Sequence, residues 1–253
     1  MKQNLLIAMT MIALSLNAQA QLPAPDKIES ANGAITIQPV THGSLVLMWN
    51  DVIIYIDPYG GGQLYQTLPK PDLVLITDIH GDHLNPETLA AIDLERATIV
   101  APQAVVAQLT PALREKASVL ANGETIRKMD IDIQAIPMYN LPDDKDARHS
   151  KGRGNGYVIS PGGKRIYVSG DTEDIPEMRA LKNIDIAFVC MNMPYTMDIN
   201  QAASAVLEFK PKVVYPYHYR GQGGLADVEG FKKLVNKGNK SIDVRLRNWY
   251  SGS

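Results

Sequence analysis

A chain of 253 residues with 45% apolar side chains is long enough for one large buried core or two small ones. Its formal charge of −2 gives no electrostatic case for nucleic acid or an anionic membrane surface as partner. Its one cysteine, Cys190, excludes an intramolecular disulfide, and apolar neighbours Phe188, Val189 and Met191 predict a buried core thiol with no local base to make it a nucleophile.

The N-terminus predicts export. Met1-Lys2-Gln3-Asn4 carries one positive charge, an uncharged apolar run follows from Leu5 to Leu16, and Ala18-Gln19-Ala20 supplies a small-x-small cleavage site. The run is short of the ~20 apolar residues that span a bilayer, so no membrane span is expected. Residues 1–20 read as a signal peptide, and residues 21–253 as one mature domain in the periplasm or outside the cell.

Residues 34–39, 44–49 and 52–56 are short, apolar or β-branched, and separated by turn residues such as Asn50-Asp51, the pattern of strands. Residues 73–77 form a continuous apolar run, expected of a strand buried on both faces. Asn85-Pro86-Glu87 opens a helix, with Asn85 to cap it and Pro86 in its first turn. Residues 97–101 predict a strand, 102–109 a helix, and 118–120 and 131–139 further strands. Pro161-Gly162-Gly163-Lys164 joins strands 156–160 and 165–169 in a hairpin. Strand 184–191, helix 200–209, strand 213–217, helix 227–235 and strand 244–249 complete the chain. Strands dominate early and alternate with helices later, which favours an α/β fold of two sheets with helices outside.

The five histidines are His42, His80, His83, His149 and His218. Two of them lie with two aspartates in Asp78-Ile79-His80-Gly81-Asp82-His83, between a buried strand and a capped helix. Imidazole and carboxylate are the ligands of Zn²⁺ and related ions, and unsatisfied at a buried strand end they are costly. Two more candidates end later strands: Asp171 in Ser169-Gly170-Asp171-Thr172, and His218 in Tyr215-Pro216-Tyr217-His218. Tyr139-Asn140 ends another. Polar residues at the ends of separate strands predict one converging site.

In this order, Asp-x-His-x-Asp-His, then Gly-Asp-Thr, then a strand ending in His resembles the metallo-β-lactamase superfamily. Within it the chain is similar to the branch of ascorbate-6-phosphate lactonase and related metal-dependent hydrolases. Thr41-His42-Gly43-Ser44, Ile56-Asp57-Pro58, Gly154-Asn155-Gly156-Tyr157-Val158 and Tyr217-His218 carry the likeness across nearly all of the mature chain. The resemblance implies an αββα sandwich, two mixed sheets flanked by helices, with metal between the sheets at one edge. It implies a metal position formed by Asp82, His83, Asp171 and His218. A second position would use residues 78, 80 and 140 with a shared Asp171. There the family's first histidine is Asp78 here, and the place of a third histidine falls on Asn140.

One or two divalent ions, Zn²⁺ or Mn²⁺, follow from this set, the oxygen-rich Asp78–His80 position favouring the harder ion. The implied chemistry is hydrolysis of an ester, lactone or phosphoester in a small anionic molecule by metal-activated water, with Asp82 orienting the water or taking its proton. Arg148-His149-Ser150-Lys151-Gly152-Arg153 is basic and adjoins glycines, which suits an anionic group. His149, Asn140, Arg220 and His42 are the expected substrate contacts. The rival reading is a non-catalytic binding protein whose metal site has decayed at 78 and 140.

Overall fold

A computed structural model describes residues 22–250, so the expected signal peptide lies outside the described residues. Among them, two seven-stranded sheets face each other. The first runs in chain order through β1 (Asp26–Ser30), β2 (Gly33–Thr41), β3 (Ser44–Trp49), β4 (Val52–Ile56), β5 (Leu73–Leu75), β6 (Thr98–Ala101) and β7 (Ala117–Val119). Its first three pairings are antiparallel and its last three parallel.

The second sheet repeats that plan. β8 (Thr125–Lys128), β9 (Ile131–Met138), β10 (Gly154–Ser160) and β11 (Ile166–Val168) form an antiparallel meander. β12 (Ile186–Cys190) and β13 (Val213–Tyr217) then add in parallel. A small hairpin, β14 (Arg220–Gly221) and β15 (Gly224–Leu225), precedes the parallel edge strand β16 (Asp243–Val244).

Side-chain alternation sorts the first sheet into two faces. Ile35, Ile37, Leu45, Leu47, Ile54, Ile56, Leu73 and Leu75 point into the large core shared with the second sheet. Val46, Ile53, Tyr55, Val74 and Ile76 point outward into a smaller core. That outer core is covered by helices α1 (Pro86–Ala91) and α2 (Gln103–Val106), through Leu89, Val105 and Val106, with α3 (Pro111–Arg114) beside them. On the second sheet's side, α5 (Ile199–Phe209) contributes Ala202, Ala205 and Val206, and α6 (Val228–Gly238) contributes Phe231 and Val235. The short α4 (Pro176–Arg179) packs beside α5. The result is the expected αββα sandwich.

The caps are as their chemistry dictates. Asn85 accepts from the Thr88 backbone N–H, with Pro86 in the first turn. Asp198 and Gln201 form a capping box on α5. Cys190 is fully buried in β12, where burial pushes its thiol up to about 11. No helix of the described residues is long and apolar enough to cross a membrane.

Two expectations differ from the structure. The last strand stops at Val244, because residues 245–249 leave the sheet and bring Trp249 into the core against Phe188 and Tyr217. The second is an omission: Asp26–Ser30, to which the sequence pattern assigns no element, pairs with β2 and gives the first sheet its edge.

Candidate metal centre

Strand ends from both sheets meet at one edge of the sandwich. The turn between β2 and β3 carries His42, and β4 ends in Asp57. β5 runs into the Asp78–His83 segment, the β9–β10 connection carries Asn140, His149 and Arg153, and β11 and β13 end at Asp171 and His218. Rigid strands thus aim side chains from six places at one region.

Four of the sequence-selected residues converge. His83 Nε2 and His218 Nε2 lie 3.2 Å apart. Asp171 approaches each of them at 3.3 Å, through Oδ2 and Oδ1 respectively. Asp82 Oδ2 is 3.3 Å from His218 Nε2 and 3.9 Å from His83 Nε2. A tetrahedron with metal–ligand bonds of about 2.0–2.1 Å has edges of about 3.3 Å, so His83, His218 and Asp171 are spaced for one Zn²⁺-sized ion, while Asp82 groups with His218 and His42 beside them. The His83–His218 contact needs a proton or a cation between the two ring nitrogens, since two lone pairs facing each other repel.

Behind His83 stands a carboxylate. Asp57, fully buried, places Oδ2 2.8 Å from His83 Nδ1, while its carboxylate accepts from the Thr77 backbone N–H at 2.7 Å and the Thr77 hydroxyl at 2.6 Å. This fixes the ring with Nδ1–H toward Asp57 and Nε2 toward the common point. Gly43 seats the neighbouring ring: a Cβ there would lie 2.9 Å from His218 Cδ2.

A second cluster adjoins the first. Asp78, His80 and His149 bring their donor atoms within 4.8 Å of one another. His80 Nδ1 is 2.6 Å from Asp78 Oδ2, and His149 Nε2 is 3.3 Å from Asp171 Oδ2. Asp171 Oδ2 therefore touches an imidazole from each cluster, the geometry of a shared carboxylate. His149 Nε2 and Asp171 Oδ1 are buried with no well-formed hydrogen bond, each meeting only the 3.3 Å contact of the facing cluster atom. Orphaned donors of this kind fit an ion at each cluster.

The placement of His149 and Asn140 corrects the sequence reading. His149 is fully buried and fills the place assigned to residue 140, rather than lining the substrate side. Asn140 stands behind it. Its Oδ1 accepts from His149 Nδ1 at 3.1 Å and from the His149 backbone N–H at 2.9 Å, while its Nδ2 donates to Tyr195 O and Glu173. Its amide oxygen is thus engaged away from the donor cluster. The segment between them leaves β9 and returns, so sequence order concealed which residue points inward.

His42 reaches the site through Asp82, with Nε2 3.1 Å from Asp82 Oδ2 and Nδ1 2.8 Å from the Tyr250 hydroxyl. Arg220 lays its guanidinium over the Tyr250 ring, 4.2 Å from the centroid, and Arg148 does the same over Tyr195. Sequence reasoning gave no role to Tyr250, carried Asp57 only within the family likeness, and read Arg153 as one cation of a segment suited to an anionic group. The signal for Asp57 was present: an acid directly after an apolar strand, as at Asp78.

The electrostatics favour bound positive charge. Burial opposes a charged His83, but Asp171 and Asp57 outweigh it and hold its pKa well above the usual histidine value. Burial likewise opposes ionisation of Asp171 and is overcome by His218 and His83, which hold it well below the carboxylate range. For Asp78, burial is overcome by the His80 hydrogen bond and the charges of His83, His80 and Arg153, which bring it down to about 2.

Fold and site together define a class. A family described as the beta-lactamase superfamily domain matches residues 36–218. The chain belongs to this superfamily and, within it, to the family of UPF0173 metal-dependent hydrolases. The Pyrococcus abyssi member is 31% identical over 205 residues, covering 77% of this chain and 88% of that one. The Staphylococcus carnosus member is 28% identical over 224 residues, covering 79% and 94%. Among solved structures, a protein of Parabacteroides distasonis described as a metal-dependent hydrolase superposes with a TM-score of 0.79 at 39% identity, covering 89% of this chain and 98% of that one. Igni18, a metallo hydrolase of Ignicoccus hospitalis, superposes with a TM-score of 0.71 at 25% identity, covering 85% and 95%. The chain is a metal-dependent hydrolase.

Proposed function

We propose that this hydrolase is exported and cleaves an ester, lactone or phosphoester bond in a small anionic molecule, using Zn²⁺ or Mn²⁺. The observation that carries the reading is the convergence of His83 Nε2, His218 Nε2, Asp171 and Asp82. These four residues hold one ion. Asp78, His80 and His149, with Asp171 shared, form the position for a second. A divalent ion so held supplies Lewis acidity and lowers the pKa of water toward neutrality.

The protein's own groups do the rest. Asp57 holds the His83 proton at Nδ1, keeping Nε2 free as a donor. The Tyr250 hydroxyl donates to His42 Nδ1, so His42 Nε2–H points at Asp82 Oδ2 and fixes that carboxylate. Asp82 is the more exposed of the two carboxylates in this set, 30% against 4% for Asp171. It is the one placed to take a proton from the attacking water. Arg148 adjoins His149 in the chain and Arg220 follows His218 by two residues, which supports an anionic substrate. The charged, apolar and small-residue order of residues 1–20 supports export.

The test is elemental analysis of protein purified without added ions, followed by assays on a panel of lactones, esters and phosphoesters. His83→Ala and His218→Ala are each expected to lose the bound ion, and activity with it. Native metal content in both variants refutes the assignment.

A further inference from the structure

Position 78 carries an aspartate where the motif it resembles has a histidine, an anion in place of a neutral donor. By itself that change strengthens attraction for a divalent ion. The structure shows what answers it. Arg153 Nε lies 3.2 Å from Asp78 Oδ1 and its Nη2 3.1 Å from Oδ2, a two-pronged pair that engages both oxygens. Asp78 is fully buried and Arg153 only 20% exposed, so solvent screens the pair little. A guanidinium keeps its charge at any working pH.

The backbone fixes Arg153 in place. Gly152 adopts φ 85°, the Arg153 N–H donates to Ser150 O, and the Asn155 N–H donates to Thr77 O at 2.9 Å. A Cβ at Gly154 would stand 2.9 Å from Thr77 O, so only glycine lets this strand start approach the end of β5 so closely. That approach delivers Arg153 to Asp78.

We propose that Arg153 makes the two metal positions unequal. The Asp82, His83, Asp171 and His218 position, with Asp57 behind it, holds its ion firmly. The Asp78, His80 and His149 position holds a second ion weakly and exchangeably, because the charge of Asp78 is already answered by a resident cation. This rests on the metal reading above and adds a residue that sets occupancy at its weaker half.

The experiment is Zn²⁺ titration of chelator-stripped protein against a chromophoric chelator, with native mass spectrometry counting ions per chain. The native chain is expected to bind in two steps more than about tenfold apart. Arg153→Gln removes a cation about 3 Å from Asp78 and should raise the weaker affinity by roughly tenfold, leaving the tighter step unmoved. Arg153→Lys, which keeps the charge and loses the fork, should give a smaller rise and serves as the reading if the glutamine variant does not fold. Two equal steps in the native chain, or no rise in either variant, overturn the proposal. The metal reading fails separately, if His218→Ala keeps the tight step.

Discussion

The two donor clusters share Asp171 and use similar ligands, yet opposite chemistry stands behind them. His83 rests on the carboxylate of Asp57, and Asp82 on His42. In the neighbouring cluster, Asp78 rests on the guanidinium of Arg153 and His149 on the neutral amide of Asn140. A carboxylate behind an imidazole makes it more basic, whereas a guanidinium beside a carboxylate competes with any ion that approaches it. Counting donors would rank the positions as equals. Their outer partners rank them, and variants in those partners test the ranking without touching a donor atom.

Asp57→Asn should show the largest effect. An amide that turns its N–H toward His83 Nδ1 moves the ring proton to Nε2, the atom that faces the common point. Affinity at the Asp82–His83–Asp171–His218 position should fall by about 10–100-fold, with the weaker step little changed. Equal losses at both steps in the titration would mean that Asp57 supports the whole edge rather than one ring. Asn140→Ala is the matching change on the other side. It removes the acceptor that orients His149, and the weaker step should drop by about tenfold, the low end of that range, while the tighter step stays. A shift of the tighter step instead would place His149 in the wrong cluster.

The same contrast explains what could be read from the sequence. The Asp78–His83 segment, Asp171 and His218 each follow an apolar strand directly, so strand periodicity and residue chemistry together point them to one edge. His149 escaped because it follows no strand, lying on the β9–β10 connection whose path only the tertiary structure fixes. Asn140, at a strand end, took its place by the same logic. Arg153 was visible as one charge in a basic loop, but its partner is 75 residues away and no local pattern pairs them. The sheets were legible where alternation or apolar runs were strong. The polar edge strand at Asp26–Ser30 was not, because its stability comes from pairing with β2 rather than from its own apolar content.

That edge strand also provides the control. Asp26 accepts from the Tyr215 hydroxyl at 2.7 Å, Arg245 at 3.0 Å and Arg247 at 2.6 Å, clasping the first sheet to the second through partners that belong to neither donor cluster. Burial opposes its ionisation, but the hydrogen bonds from Tyr215 and Arg245 prevail and hold its pKa below the ordinary value near 3.8. A carboxyl with a lowered folded-state pKa stabilises fully above its unfolded value, and that stabilisation is lost as pH falls through the folded one. Asp26→Asn should therefore cost about 1.5–3 kcal/mol at pH 7, the range for hydrogen bonds to a charged group. At roughly 2–4 °C per kcal/mol the melting temperature falls by several degrees. The difference between native and variant should narrow as the pH is taken below about 4, where the unfolded chain's aspartate gains its proton before the native one does. Thermal melts from pH 7 to pH 3 read this directly, and a gap constant across that range would remove Asp26 from the acid response. Both metal steps should stay where they are at pH 7. Movement of either would show that the clasp reaches the site, and that outer partners alone do not set the ranking.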